Sequence, residues 1–207
     1  MQDYLDYKSG ASLILNPHIE TDVISTKGKA YGAEFMVRKN AGKINGWLSY
    51  TFSRTLLKTD DLTAGELVNG GAYYPGNYDK PHDVTLIGNY RFSHRYSLSL
   101  NTTYSTGRPI TLPIGKYWYG GAQRVLYSDR NEYRIPDYFR MDIGVNVEGN
   151  HKVHQATHNS WTIGVYNLTA RKNAYSTYFT TEGGIINGYK LSIFSSPVPY
   201  INYNIRF

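Results

Sequence analysis

The stretch Tyr200-Ile201-Asn202-Tyr203-Asn204-Ile205-Arg206-Phe207 decides how this chain is read. Side chains along a strand alternate between its two faces. Phe207, Ile205, Tyr203 and Ile201 therefore share one face, and Arg206, Asn204 and Asn202 the other. Aromatic and aliphatic groups on one side, with amides and a guanidinium on the other, suit a strand set between lipid and a wet lumen. The same alternation recurs upstream. In residues 96–106, Tyr96, Leu98, Leu100, Thr102 and Tyr104 alternate with Ser97, Ser99, Asn101 and Thr103.

Worked outward from these two stretches, the pattern predicts about eight strands. They cover 4–14, 28–39, 43–54, 82–92, 96–106, 137–149, a segment from about 159 to 179, and about 189–207. Within 28–39, Tyr31, Ala33, Phe35 and Val37 lie on one face and Glu34, Met36 and Arg38 on the other. Met141, Ile143, Val145 and Val147 oppose Arg140, Asp142, Asn146 and Glu148 in the same way. Asn40-Ala41-Gly42 predicts a tight hairpin, because Asn and Gly tolerate positive φ. Ser93-His94-Arg95 predicts a second short turn, and long connections over 55–81 and 107–136 separate the hairpins. Pro197 and Pro199 predict a bulge or an unpaired stretch near the start of the last strand. Short turns at one end and long loops at the other are the asymmetry of outer-membrane barrels.

Composition narrows the class. The 207 residues include 21 Tyr and 20 Gly but no Cys, and aromatics reach 15% while mean hydropathy is −0.48. Many rings argue against disorder. Apolar runs such as Ser12-Leu13-Ile14-Leu15 fall far short of the ~20 residues that a spanning helix needs. A barrel combines low hydropathy with many Tyr, since half of its strand residues face water. The formal net charge of +6 is scattered rather than clustered, so no nucleic-acid partner is expected. Lack of Cys removes disulfides and zinc–thiolate sites. Met1-Gln2-Asp3-Tyr4-Leu5-Asp6 has neither the basic nor the apolar part of a signal peptide. The expectation is a piece of a longer precursor, or else a protein that is not of the envelope.

Several segments, in order, cover almost the whole chain: Ala30-Tyr31-Gly32-Ala33-Glu34, Gly46-Trp47-Leu48-Ser49-Tyr50-Thr51-Phe52-Ser53, Tyr74-Pro75 with Tyr78-Asp79-Lys80-Pro81-His82-Asp83, Gly107-Arg108-Pro109, Arg134-Ile135-Pro136-Asp137-Tyr138-Phe139-Arg140-Met141-Asp142, Val165-Tyr166-Asn167 and Arg171-Lys172-Asn173-Ala174-Tyr175. Together they resemble the carboxyl-terminal barrel portion of a TonB-dependent outer-membrane receptor of the kind common in Bacteroidetes. The resemblance implies an all-β, antiparallel transmembrane segment, residues 1–207, belonging to a larger barrel of the 22-stranded type. It implies a bacterial outer-membrane location and active uptake of a scarce nutrient such as a siderophore, cobalamin, glycan or peptide. The plug domain and the TonB complex would be partners in the full-length parent, with no plug in this chain. Outer-membrane lipid is a further partner. The ending Ile201, Tyr203, Ile205, Phe207 resembles the signal read by the barrel assembly machinery. Two alternatives stay open: a small autonomous eight-stranded outer-membrane barrel with a structural or adhesive role, and a soluble aromatic-rich sugar-binding β protein.

The candidate ligand-contacting residues are Tyr73, Tyr74 and Tyr78 in one long loop and Tyr117, Trp118 and Tyr119 in the other. Rings offer contact area at low entropic cost and keep a polar handle; the plainer expectation places them in a rim girdle. Glu34, Arg38, Arg140, Asp142 and Glu148 are expected to face the lumen, because a charge on the lipid face costs roughly 2–4 kcal/mol for Arg or Lys at mid-depth. The His151, His154, His158 spacing would suit a metal only on a helix, and helix signals are absent, so a plain turn is expected there. Asp79, His82 and Asp83 are expected to hydrogen-bond the junction where a loop enters a strand. No G-x-S-x-G elbow or phosphate loop is present. No catalytic residue, metal or cofactor is expected.

Overall fold

The computed structural model describes residues 4–8, 18–59, 65–149, 157–193 and 195–206. The structure is all-β and antiparallel. Eight strands make the body of one sheet: β1 Tyr4–Tyr7, β2 Val23–Lys39, β3 Ile44–Thr59, β4 His82–Arg91, β5 Tyr96–Ser105, β6 Tyr138–Glu148, β7 His158–Tyr166 and β8 Val198–Arg206. Their order across the sheet is their order in the chain, with a short ninth strand, Tyr74–Pro75, beside β3. Every neighbour is antiparallel. Among the described residues no ladder joins β1 to β8, so the sheet is an open meander.

Local chemistry explains the short turns. Gly42 takes φ of +97° between β2 and β3, where a side chain would be strained. Between β4 and β5 the Ser93 hydroxyl accepts the N–H groups of Arg95 and Tyr96, a side-chain substitute for a backbone turn.

The register carries one face from strand to strand. Val37 stands opposite Leu48, Leu48 opposite Leu86, Leu86 opposite Thr102, and Thr102 opposite Met141. Tyr90, Leu98, Val145, Ile163 and Ile201 form another such row. The same ladders gather Glu34, Thr51, Asp83 and Ser105 on the opposite face, and likewise Arg38, Trp47, Ile87, Asn101 and Asp142. One face of the sheet is apolar across seven strands, and its reverse is mainly polar.

The apolar face has no protein layer over it among the described residues. Phe35 is 60% and Ile201 65% exposed. The buried apolar residues sit elsewhere, in a cluster of Ile24, Leu57, Val68 and Tyr74 at the long-connection end, with Ile135 apart. The exposed face is ordered chemically. Tyr90, Tyr96, Trp161 and Tyr203 line it near the short turns, and Tyr31, Tyr50, Phe52, Tyr104 and Phe139 line it near the long connections. Between the two rows lie aliphatic side chains, including Leu48, Leu86, Leu100, Ile143, Val165 and Ile201.

Several boundaries differ from the sequence expectation. β2 and β3 reach five residues further at the loop end, to Val23 and Thr59. β7 stops at Tyr166 rather than near 179, because Asn167 turns the chain with φ of +52°. β8 starts at Val198 rather than 189, since 185–192 pairs with 174–182 in a separate hairpin. Pro199 is accommodated within β8, opposite Val165, because β8 is an edge strand with no further neighbour among the described residues. Residues 9–14 of the first expected strand, His151, His154 and Phe207 lie outside the described residues.

On the polar face, Tyr200 lies over a glycine slot. Ser99, Gly144, Gly164 and Tyr200 stand in one register row. A Cβ on Gly144 would lie 2.6 Å from the Tyr200 hydroxyl oxygen; one on Gly164 would strike both the Tyr200 ring and the Ile143 carbonyl. Only the first obstacle is the movable tip of a side chain. We expect Gly164→Ala to destabilise the sheet by about 1–3 kcal/mol, the overpacking range, and Gly144→Ala by less. Tyr200→Phe should relieve part of the cost of Gly144→Ala, since the Ser99 hydroxyl 2.9 Å from the added Cβ remains, and none of the cost of Gly164→Ala, as read by a double-mutant cycle in urea unfolding.

Candidate functional site

Antiparallel pairing places alternate connections at opposite ends of the sheet. The turns after β2, β4 and β6 lie at one end. The connections after β1, β3, β5 and β7 gather at the other, and this end carries the candidate site.

Asp79 is the hub of the gathering. Its side chain is fully buried; its carboxylate accepts the Thr55 N–H at 2.7 Å and the Arg54 Nε at 3.2 Å, and also pairs with Arg134 Nη2. Arg134 donates besides to the backbone carbonyls of Asp79 and Gly107. One carboxylate thus ties β3, the 65–81 connection and the 106–137 connection together. Asn69 and Arg130 form a second tie, the Asn69 amide exchanging two hydrogen bonds with the Arg130 backbone. Asn131, at φ of +58°, donates to the Pro75 carbonyl and to Asn77. Arg130 pairs with Asp6 at 3.0 Å and donates to the Tyr7 carbonyl, which brings in β1.

Asp137 closes the far side. It accepts the Tyr104 hydroxyl at 2.7 Å and the Gly107 N–H at 2.9 Å. Gly107 presses against the Ile135 carbonyl so closely that no Cβ fits. Asn173 extends the ladder past the end of β7 by exchanging two hydrogen bonds with the Phe139 backbone.

The six aromatic candidates separate. Tyr74 is 1% exposed, packs in the rim core and donates to Asp6 at 2.6 Å. Burial first, and then that hydrogen bond, push its phenol well above the ordinary range. Its expected role as a ligand-contacting ring is corrected, for the core occupies its surface. Tyr73 takes the Lys29 ammonium 3.9 Å from its ring centroid, a cation–π contact. Tyr78 is 86% exposed. Tyr117, Trp118 and Tyr119 lie on a projecting hairpin, Pro113–Tyr119 with Ala122–Tyr127, in which the alternation sets Trp118 on the face opposite to Tyr117 and Tyr119. A second projecting hairpin, Ala174–Glu182 with Ile185–Ser192, stacks Tyr178 on Tyr189 at 5.3 Å.

The five charged residues expected to face the lumen share the polar face by register. Arg140 Nε and Asp142 Oδ1 are 2.8 Å apart, and the same oxygen accepts the Asn167 N–H. His82 Nδ1 lies 2.9 Å from the Tyr50 hydroxyl, and its backbone N–H donates to Thr106. Asp79 and His82 therefore serve the loop–strand junction. No group of three or more potential metal ligands occurs among the described residues.

The first hairpin escaped the strand reading and the second was merged into the strands on either side of it, although the turn signals of both are present. Gly120-Gly121 and Gly183-Gly184, all at positive φ, stand between short alternating stretches and match the turn that closes two-residue hairpins. Asp79 could not be ranked above other loop carboxylates, since its partners Arg54 and Arg134 are remote in sequence.

Comparison with protein-family models, with curated proteins and with solved structures finds no match to this chain.

Two outcomes follow from this geometry. Asp79→Ala leaves the Thr55 N–H without its acceptor, at a cost of about 1–3 kcal/mol; hydrogen exchange should speed up in 65–81 and 128–134 and stay unchanged in β5 and β6. The Asp137 carboxyl is held below its ordinary value of 3.8, first by the Tyr104 hydroxyl and then by the Gly107 N–H. Its contribution to stability is full above that ordinary value and is lost as pH falls through the lower folded value. Asp137→Asn should flatten the acid limb of stability against pH below about 4.

Proposed function

We propose that this chain is wall and external loops of a transmembrane β-barrel in the bacterial outer membrane, of the TonB-dependent receptor type. In that reading its parent takes up a scarce nutrient through a plug driven by the TonB complex. The observation that carries the reading is the uncovered aliphatic band, bounded by an aromatic row at each end and backed by a polar face. In water such a face is a liability; in a bilayer it is the lipid-facing surface, with rings at the two interfaces.

The dimensions support it. β4, β5, β6, β7 and β8 have 10, 10, 11, 9 and 9 residues, against the 9–11 or so that a tilted strand needs to cross. Tyr96 and Tyr104, the ends of the band on β5, are about 27 Å apart along the strand at ~3.4 Å per residue. A tilt of about 40° reduces this to about 20 Å, near the ~25 Å apolar band of such barrels. The family itself rests on the motif order and on the alternation of short and long connections. The soluble alternative needs a second layer over the apolar face, and none occurs among the described residues.

The test is refolding of the chain into detergent micelles, followed by gel electrophoresis with and without heating. Leu86→Arg, in the middle of the apolar band, should abolish the heat-dependent shift, whereas Thr85→Arg, one residue away on the polar face, should retain it; the first carries roughly 2–4 kcal/mol of lipid-face penalty. A wild-type chain soluble and monomeric without detergent would overturn the membrane reading.

A further inference from the structure

The sheet has two edges among the described residues, and they are unlike. β1 pairs only with residues 23–26, on the loop side of Tyr31. The apolar band is therefore crossed by β2 to β8 and not by β1. Along residues 30–39, β2 has a neighbour on its β3 side alone, and every residue of this stretch is exposed. The other edge, β8, carries Pro199, which blunts an edge against pairing. Residues 30–39 contain no Pro.

The hydrogen-bond pattern fixes what the β2 edge presents. The Ser53 N–H donates to the Pro81 carbonyl, and the Arg91 N–H to the Lys43 carbonyl. Odd-numbered residues of β3 thus bond toward β4. Residues of an antiparallel strand bond to its two neighbours in alternation, so even-numbered β3 residues bond toward β2, as Tyr50 does opposite Phe35. That uses the odd-numbered residues of β2. Gly32, Glu34, Met36 and Arg38 turn their backbone N–H and C=O groups to the open side. The β1 side agrees, for the Lys8 N–H donates to the carbonyl of Asp22, even-numbered and one residue before β2, at 2.8 Å. Water answers such groups, but the hydrocarbon of a bilayer does not.

Direction then excludes one partner. Every neighbour in the sheet is antiparallel, so β2 and β8 run the same way. A ring of identical copies would set β8 of one beside β2 of the next in parallel, against the antiparallel order of such barrels. A single strand, or any odd number, is antiparallel to both edges. We infer that residues 30–39 of β2 bind a crossing strand from another segment of polypeptide, not from a second copy of this chain, in the antiparallel register that β1 begins. Directly opposed residues share a face. The partner is therefore apolar opposite Tyr31, Ala33, Phe35 and Val37 and polar opposite Gly32, Glu34, Met36 and Arg38. A base suits the position facing Glu34 and an acid the one facing Arg38. The apolar half of this pattern rests on the membrane reading; the backbone half does not.

The experiment is disulfide linking of the 207-residue chain, refolded in micelles, to a synthetic strand of about 11 residues. The chain has no Cys, so Ala33→Cys supplies its only thiol. This position belongs to a pair whose backbones do not bond, where opposed Cα atoms lie about 4.5 Å apart, within disulfide reach. The matched peptide follows the pattern above, with cysteine opposite position 33. A second peptide has the same composition with the alternation inverted, and a third has the cysteine moved by two positions. The matched peptide should link at least about tenfold faster than either. Equal rates for the three peptides, or no linking by the matched one, overturn the inference. So does faster linking of Ala33→Cys to Ile201→Cys in a second copy, which would make another copy the partner. The same samples run heated and unheated report on the membrane reading separately: matched linking without a heat-dependent shift leaves the edge inference standing and removes the bilayer.

Discussion

In a strand paired on both sides, the face that a side chain takes is decided by register alone, and a slip of one residue moves every side chain to the wrong face. This constraint governs the whole sheet. Four successive ladders keep Val37, Leu48, Leu86 and Met141 on one side and Arg38, Asn101 and Asp142 on the other. Short turns set the register of two hairpins. Where the connections are long, side chains set it: Asn173 binds the Phe139 backbone beyond the end of β7, Asp142 receives the Asn167 N–H, and Tyr200 fits only above two paired glycines.

The cost of a sheet with no covering layer is displaced to its ends. A soluble sheet would bury its apolar face against a second layer; here the few buried apolar side chains collect under the long connections. Those connections bring many polar backbone groups together, each of which needs a partner. The buried Asp79, Asn131 and Asn167 answer that need by binding backbone N–H and carbonyl groups.

Strand positions in the middle of the chain were legible to within about two residues, because Tyr96 to Tyr104 and Phe139 to Val147 alternate without interruption. The reading failed where alternation continued across a turn. Residues 174–192 carry strand-like chemistry on both sides of Gly183-Gly184, so a separate hairpin was merged into its neighbours. The rim tyrosines show a second kind of failure: Tyr73, Tyr74 and Tyr78 look equivalent in sequence, yet one meets lysine, one is buried and one is open to solvent.

Period-two alternation and the turn chemistry of Asn-Ala-Gly and Ser-His-Arg were enough to establish an antiparallel all-β chain with one apolar and one polar face, since both depend on neighbours in the chain. Tertiary structure alone decided that the apolar faces of successive strands merge into one uncovered band, that Tyr74 belongs to a core, that Asp79 joins Arg54 to Arg134, and that Ser105, Lys80 and Arg108 surround one cavity. Arg54, Asp79 and Arg134 are separated by tens of positions along the chain, and only the closing of long loops over a fixed ladder register brings them within bonding distance.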